Sequence, residues 1–436
     1  MKIVKTIIII LMLNLTGCAV LNTSSISEEE SAELKLYQLY INKDGNLLDP
    51  VSGDIVLDED RYIDNIYKNF EDKKLKLTVF IHGGLNTFES ATSRVRDVKS
   101  KMIKDDKYPL FISWSSGGFT NYSDHLFLIR DGEKTPVLGV LSSPFVFLED
   151  ALRSIARIPA STYNVLFGQN SVLVNNYTNE ESASDSALAE LEELGFVIYN
   201  SPNDTGHTFG DWWSVWNPVK LLSAPFVDGL GTGAWGSMLR RTDLVLRKDD
   251  GFNGNKDANT AVTKFFNKFS AEYKSNEIIL IGHSMGTIIA NNIIVRYPQL
   301  NFSNIVYMAA ACKIKDLEYV VAPYLDNNPS SKFYNLSLNP YRDISENTYY
   351  DFAPRGSLLM WIDETLGEVN SFQDRTAGYW FNITRGGGEA FKHGNIRQRV
   401  NLTQFGIRDG SPQNHGEFSK YEFWHESFWK GDFKKL

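Results

Sequence analysis

A serine in a short glycine-flanked motif is the residue whose setting points most clearly to chemistry. Ser284 lies between Gly282 and Gly286, with an apolar run before the motif and a helix-like run after it. A Gly-x-Ser-x-Gly pattern between a strand and a helix is typical of a nucleophile elbow, a sharp turn that lifts a serine hydroxyl clear of the sheet. Glycine is expected at both positions because strand and helix pack closely there. The motif therefore predicts Ser284 as a nucleophile in acyl transfer.

A serine hydroxyl is a weak nucleophile, so the chain must also supply a base that takes its proton. In a sheet that carries such an elbow, the histidine follows the last strand. His415 meets this condition because it lies in a loop after the last predicted strand and before a predicted helix. His425, inside that predicted helix, and His393, before the last strand, are the alternatives. We predict His415 as the base.

The acid that would orient this imidazole is the least well defined part of the site. It should follow the predicted strand 332–338, and Asp343 lies five residues beyond that strand. We predict Asp343 as the acid. Asp351, Glu346 and Asp363 remain alternatives, because any carboxylate on this stretch could fold towards the histidine.

Acyl transfer also needs N–H donors for the oxyanion that develops on the substrate. One candidate is the backbone N–H of Met285, directly after the nucleophile. The second should come from the turn that follows the apolar strand 75–81, where the sequence continues His-Gly-Gly at 82–84. Glycines there let the main chain turn its N–H groups towards the serine, and Gly84 and Leu85 are the candidates.

Apolar strands alternate with amphipathic helices through most of residues 34–436, which predicts one domain with a mostly parallel sheet covered by helices on both faces. The alternation stops in residues 117–240, so we predict that this segment is a large insertion, a cap or lid over the active-site edge. The predicted strands are 36–41 and 47–56 as a hairpin, 75–81, 110–114, 277–281, 304–309, 332–338 and 398–406, and the last predicted helix is 417–429.

The Gly-His-Ser-Met-Gly motif at 282–286, the His-Gly-Gly turn and the chain order Ser, Asp, His resemble the α/β-hydrolase superfamily, in particular its esterases and lipases. The likeness covers residues 75–116 and 257–436 and leaves the insertion unmatched. It implies the α/β-hydrolase fold, Ser284 as acyl acceptor, His415 as general base and then acid, and an aspartate that orients the imidazole. We therefore expect a serine hydrolase that cleaves carboxylic esters, lipid or acyl esters rather than peptides. A non-catalytic binding or scaffold module with the same fold is the alternative.

The insertion contains an apolar stretch at 144–158 with charged residues at helical spacing, which predicts an amphipathic helix. Its apolar face either meets lipid as a lid or packs on the rest of the insertion, and the second interpretation is favoured. Trp212, Trp213 and Trp216 carry the same ambiguity, since most tryptophans belong to cores.

The first 17 residues have the pattern of a targeting signal. Lys2 and Lys5 precede a short apolar run, which ends before Cys18 in a Leu-Thr-Gly-Cys sequence that resembles a bacterial lipobox. This predicts a signal peptide at 1–17, a lipidated Cys18 and a flexible tether at 18–33. The lipid would anchor the protein to a membrane of the bacterial envelope, and Ala19 after the cysteine favours the outer membrane.

Composition excludes several other functions. The formal net charge is -9 at pH 7, and no basic patch or RNA-binding signature is present, so nucleic acid is not an expected partner. No metal-ligand cluster, phosphate loop or dinucleotide motif is present, so no metal and no cofactor are predicted. The expected partners are an ester substrate, with lipid as one candidate, and the membrane.

Overall fold

The computed structural model describes residues 28–130, 133–169, 186–200, 218–247, 259–347, 352–393, 395–406 and 411–432. A nine-stranded sheet forms the centre, in the order β2-β1-β4-β3-β8-β9-β10-β11-β7. Its strands are β1 Gln38–Ile41, β2 Leu47–Leu48, β3 Lys76–Ile81, β4 Lys107–Trp114, β7 Val197–Asn200, β8 Glu277–His283, β9 Asn301–Met308, β10 Lys332–Leu338 and β11 Val400–Phe405. A separate two-stranded hairpin consists of β5 Ile129–Arg130 and β6 Glu133–Lys134.

Every neighbouring pair in the large sheet is parallel except β1 with β2. In β8, β10 and β11 almost every side chain is buried, which requires cover on both faces of the sheet. The predicted mostly parallel sheet flanked by helices is therefore confirmed.

The helices connect the strands and flank the sheet. They are α1 Glu28–Leu34, α2 Glu59–Lys73, α3 Phe88–Lys104, α4 Gly118–Phe127, α5 Pro136–Ala156, α6 Ile158–Tyr163, α7 186–193, α8 Val219–Val245, α9 Ala261–Glu272, α10 Gly286–Arg296, α11 Ile314–Asp316, α12 Ala322–Asn327, α13 Pro340–Ser345, α14 Leu358–Trp361, α15 Trp380–Ala390 and α16 Glu426–Trp429. The helix α9 illustrates how the sequence sets an element. Thr260 caps it by accepting from the N–H of Thr263, and its periodic Phe265, Phe266 and Phe269 are buried.

The segment predicted as an insertion also contributes to the large sheet. Its strand β7 pairs in parallel with β11 at the sheet edge, and its last helix, α8, continues to Val245, past the predicted boundary at 240. β7 is not predicted from the sequence because four residues, Val-Ile-Tyr-Asn, are too few for a clear period. An edge position suits these β-branched and aromatic side chains, which are only partly buried there.

The last predicted helix, 417–429, is wrong as a single element. A 3₁₀ helix spans His415–Lys420, and α16 begins only at Glu426. Tyr421, Phe423 and Trp424 are all buried, which one straight helix could not achieve together with Phe418. The break lets the Phe423 ring lie 4.5 Å from that of Phe80 in β3, measured between ring centroids.

The structure also bears on two further expectations, one for the tether and one for the amphipathic helix within the insertion. Residues 28–33, predicted to belong to the flexible tether, form α1, whose first turn carries the glutamates that a helix N-terminus favours. The predicted amphipathic helix is present as α5. Its apolar face is exposed, and no described part of the insertion covers it, while residues 170–185 and 201–217 of the insertion lie outside the described residues. Cys18, Asp351 and the three tryptophans at 212, 213 and 216 lie outside the described residues.

Within the described ranges, no helix combines the length and the apolar character needed to cross a bilayer.

Candidate active site

The turn between β8 and α10 holds Ser284 in a strained backbone conformation. Its φ is 52°, in the left-handed region that residues other than glycine rarely adopt. The N–H of Ser284 donates to the carbonyl of Met308 at 2.9 Å, and its own carbonyl accepts from the N–H of Thr287 at 3.1 Å and from the Thr287 hydroxyl at 2.7 Å. These bonds hold the turn in the geometry expected of a nucleophile elbow.

The two glycines of the motif are required by close contacts with backbone. A Cβ atom on Gly286 would lie 2.8 Å from the carbonyl carbon of Ile81 in the neighbouring strand β3. A Cβ atom on Gly282 would lie 2.9 Å from the Cα of Thr287. Backbone atoms cannot move aside as the end of a flexible side chain can, so both positions exclude a side chain.

His415, the first residue of its 3₁₀ helix, contacts the serine directly. Its Nε2 lies 2.7 Å from the hydroxyl oxygen of Ser284, and the two side chains are only 8% and 1% exposed. Burial, with a smaller contribution from His283, lowers the pKa of His415 to about 3. The imidazole is therefore neutral near pH 7, and its Nε2 can accept the serine proton. This requires that the ring hydrogen reside on Nδ1.

The histidine inside the motif holds the main chain of His415. His283 Nε2 lies 2.9 Å from the carbonyl oxygen of His415, and a carbonyl only accepts, so Nε2 carries the hydrogen and donates. The His283 ring is buried, and that burial lowers its pKa to about 4. This role of His283 is not predictable from the sequence, because a contact between residues 132 apart along the chain leaves no trace in local spacing.

Asp343, the predicted acid, lies in α13, just beyond the end of β10, which pairs with β11 in register up to Leu338 and Phe405. Its carboxylate is fully buried, and neither of its oxygens has a hydrogen-bond partner among the described residues. The Nδ1 atom of His415 is likewise buried and unpaired there. The structure therefore brings Ser284 and His415 together, but it forms no hydrogen bond between His415 Nδ1 and Asp343.

Burial raises the pKa of Asp343 to about 8, although a contact with the Ser357 hydroxyl acts in the opposite direction. The two described alternatives to Asp343 have other partners. Glu346 accepts from the backbone N–H of His415 at 2.8 Å, which places a carboxylate beside the histidine but on its main chain. Asp363 accepts from the N–H of Thr376 at 2.8 Å and from the side-chain amide of Asn382 at 2.6 Å.

The His-Gly-Gly turn lies against Ser284 and Met285, which is the position predicted for an oxyanion loop. A Cβ atom on Gly83 would be 2.7 Å from the Cβ of Ser284, and one on Gly84 would be 2.8 Å from the sulfur of Met285. The N–H of Leu85 donates to the carbonyl of Ser116 at 3.0 Å, so in this conformation it is not available to an oxyanion. Of the two candidates on this loop, Gly84 is therefore the better one.

A comparison with known protein families gives one match to this region. A family described as Serine aminopeptidase, S33, matches residues 252–346, a stretch that contains the elbow and Asp343 but less than a quarter of the chain. The chain has the α/β-hydrolase fold. No significant match was found among curated proteins or among solved structures. The family match supports a hydrolase without defining the bond that is cut.

In this α/β-hydrolase fold, His82 anchors the His-Gly-Gly turn. Its Nε2 accepts the backbone N–H of Trp114 at 3.0 Å, so its Nδ1 carries the hydrogen and donates to the carbonyl of Gly83 at 2.7 Å. The indole N–H of Trp114 donates in turn to the carbonyl of His82 at 3.1 Å. Burial lowers the pKa of His82 to about 3, so the ring stays neutral.

The alternative bases lie elsewhere in the fold. His425 is the residue before α16, and its Nε2 lies 2.9 Å from a carboxylate oxygen of Asp105. His393 has an exposed side chain, whereas the Ser284 hydroxyl is buried. In the described parts of the chain, no group of three or more His, Cys, Asp and Glu side chains is arranged to hold a metal ion.

Proposed function

We propose that this protein is a serine hydrolase that cleaves carboxylic esters through an acyl-enzyme on Ser284. The observation that carries the proposal is the 2.7 Å separation between the Ser284 hydroxyl and Nε2 of a neutral, buried His415. A nucleophile and a base at hydrogen-bond distance, on an elbow whose φ is 52°, form the arrangement that activated serines need.

Acylation would begin when the Ser284 oxygen attacks the ester carbonyl and His415 Nε2 takes the hydroxyl proton. The carbonyl oxygen becomes an oxyanion, which the N–H groups of Met285 and Gly84 would stabilise. Collapse of this intermediate breaks the ester C–O bond, and the His415 proton passes to the departing alcohol. Water would then attack the acyl-enzyme with His415 again as the base, releasing the acid and restoring the serine.

Asp343 is our proposed acid. Its two unpaired carboxylate oxygens and the unpaired Nδ1 of His415 are complementary in donor and acceptor character, and they lie on segments that follow the adjacent strands β10 and β11. An imidazolium formed during proton transfer would attract this carboxylate and favour its ionised form. The hydrogen bond between them would then form in the complex with substrate, as catalytic hydrogen bonds often do.

We propose lipid or other acyl esters as the substrate class and lipidation of Cys18 as the anchor to the bacterial envelope, with the outer membrane favoured. The exposed apolar side chains of the insertion support an apolar substrate. The description of the matching family as a serine aminopeptidase supports a second candidate, hydrolysis of a peptide bond at a free amino terminus. Both reactions would use the same acyl-enzyme.

The proposal can be tested before the physiological substrate is identified. A fluorophosphonate probe should label the full chain, and labelling should be abolished in Ser284→Ala and fall by about a thousandfold or more in His415→Ala. Aryl esters of increasing acyl length and aminoacyl arylamides then separate the two substrate classes. Absence of labelling in a folded protein would instead favour the non-catalytic binding module.

A further inference from the structure

The helix α5 has the reverse of the usual polarity of a surface helix. Val137, Phe145 and Leu141 are 76%, 75% and 70% exposed. We call the exposed large apolar side chains of this helix the apolar face. Its members are Val137, Leu138, Val140, Leu141, Phe145, Phe147, Leu148, Leu152 and Ile155. Most of them recur at spacings of three, four and seven residues, so they lie along one side of the helix.

The side of α5 that faces the protein is small and polar instead. Gly139, Asp150 and Ser154 are its buried residues. A Cβ atom on Gly139 would lie 2.7 Å from the carbonyl carbon of Phe127, and the Tyr122 hydroxyl donates to a carboxylate oxygen of Asp150 at 3.0 Å. Rotating the helix to bury its apolar face would expose these contacts and break the polar pairing. The apolar face is therefore held outwards by specific contacts.

The neighbouring helix α8 approaches the same inward side closely. A Cβ atom on Gly229 would lie 2.6 Å from the carbonyl oxygen of Asp150 and 2.9 Å from the Cβ of Ser154. Towards its N-terminal end, α8 also exposes Leu222 and Phe226. Exposed apolar surface of this extent on a folded protein marks an interaction site rather than ordinary surface.

We propose that the apolar face of α5 docks on a lipid bilayer and inserts its side chains among the acyl chains. This inference rests on the proposed function for the anchor at Cys18. That residue lies ten positions before α1, and ten extended residues span at most about 36 Å, so a lipidated Cys18 keeps the folded protein close to the bilayer.

The chemistry of the face also favours lipid over a protein partner. Its members are valine, leucine, isoleucine and phenylalanine, which carry no hydrogen-bonding group. The side chains that carry most of the binding energy in protein interfaces are enriched in Trp, Tyr and Arg, none of which belongs to this face, whereas contact with acyl chains requires no hydrogen bond. Because the face is uncharged and the protein has a net charge of -9, docking should require neither anionic lipid nor low salt.

The test uses the full chain with Cys18→Ser, which cannot be lipidated, and flotation with uncharged phosphatidylcholine vesicles. The variant Leu141→Glu/Phe145→Glu/Leu148→Glu in this background should partition at least about tenfold more weakly. A matched control places three glutamates at exposed apolar positions elsewhere, Leu57, Val295 and Tyr319, and should float like its parent. Circular dichroism and fluorophosphonate labelling show whether each variant is folded.

Four outcomes would overturn the proposal. In the first, the control variant loses as much vesicle binding as the α5 variant, so the loss is not specific to the apolar face. In the second, vesicle binding depends on anionic lipid and vanishes at high salt, so the contact is electrostatic. A dimer that becomes monomeric in the α5 variant, with unchanged vesicle binding, would identify a second copy as the occupant. If a thiol reagent fails to label the Phe145→Cys variant in the absence of lipid, another part of this chain covers the apolar face. Vesicle binding without Ser284 labelling would refute only the proposed enzymatic function.

Discussion

The contact from His283 to the main chain of His415 yields the sharpest prediction about the site. The substitution His283→Ala removes the donor that lies 2.9 Å from the His415 carbonyl oxygen. The lost ring leaves a buried carbonyl without its partner, which costs about 1–3 kcal/mol. If the whole of this free energy is lost from the positioning of His415 against Ser284, the activation free energy of the reaction at Ser284 rises by the same amount. The rate of fluorophosphonate labelling should then fall about 5- to 150-fold.

A conservative variant separates placement from general damage. The side-chain amide of His283→Gln can reach the same carbonyl, so its labelling rate should recover to within about threefold of the parent. Tyr67→Phe is the matched control, because the Tyr67 hydroxyl donates to the buried carbonyl of Phe265 at 2.7 Å, in the packing of α2 on α9. This variant should lose comparable stability and keep its labelling rate.

The assay is the second-order rate constant of labelling at pH 7, measured beside the urea midpoint of unfolding for each variant. A role of His283 in placing His415 is refuted if His283→Ala labels at the parental rate. It is also refuted if labelling merely follows the midpoint, with Tyr67→Phe impaired as much as His283→Ala, or if His283→Gln shows no recovery.

Four further predictions concern the elbow, the acid and the response to pH. Gly286→Ala should unfold the protein or destabilise it by at least about 3 kcal/mol, since the new Cβ would lie 2.8 Å from the carbonyl carbon of Ile81. Gly236→Ala is the control, because a Cβ atom there would have nothing within 4 Å, and this variant should keep the parental urea midpoint or raise it. Asp343→Asn should slow labelling by about a hundredfold or more, and Glu346→Gln by less than about tenfold. Because the pKa of Asp343 is raised to about 8, labelling of the parent should increase between pH 7 and 9, and a flat profile would exclude Asp343 as the acid. The three buried histidines of the site have folded pKa values of about 3 to 4, below the 6.5 of an unfolded chain. As the pH falls from 6.5 towards 4, the unfolded chain therefore binds protons that the folded protein does not, and the stability present above pH 6.5 is lost. Urea midpoints should decrease over that range, and constant midpoints would contradict this prediction.

The parts of this site that follow from local sequence could be predicted, and the parts that depend on tertiary contacts could not. The elbow follows from two glycines at fixed offsets from Ser284, because close backbone packing constrains those positions directly. His415 follows from chain order, since the last strand of such a sheet ends at the same edge as the elbow. The strand β7 was too short to show a period, and the break before α16 depended on where separate aromatic rings find space in the core.

The acid illustrates the same limit most clearly. Several carboxylates follow β10, and nothing in their spacing tells which one turns inwards. Burial and pairing separate them. Asp363 is bonded to Thr376 and Asn382, and Glu346 to the His415 main chain, whereas the buried Asp343 carboxylate has the Ser357 hydroxyl near it but forms no hydrogen bond among the described residues.

The Asp343 carboxyl group and His415 Nδ1, which form no hydrogen bond among the described residues, are suited to be uncharged in the resting site. Near pH 7, the lowered pKa of His415 keeps the imidazole neutral, and the raised pKa of Asp343 favours its protonated form. An isolated buried carboxylate would cost several kcal/mol, so the resting protein avoids that penalty. Proton transfer from Ser284 would create a cation on His415. That cation would lower the pKa of Asp343, so the carboxyl proton would be released to solvent and the ionised Asp343 would gain a partner. The charges on His415 and Asp343 would thus form together, during the reaction. This accounts for a resting site in which Ser284 contacts His415 while the carboxyl group of Asp343 forms no bond to the imidazole.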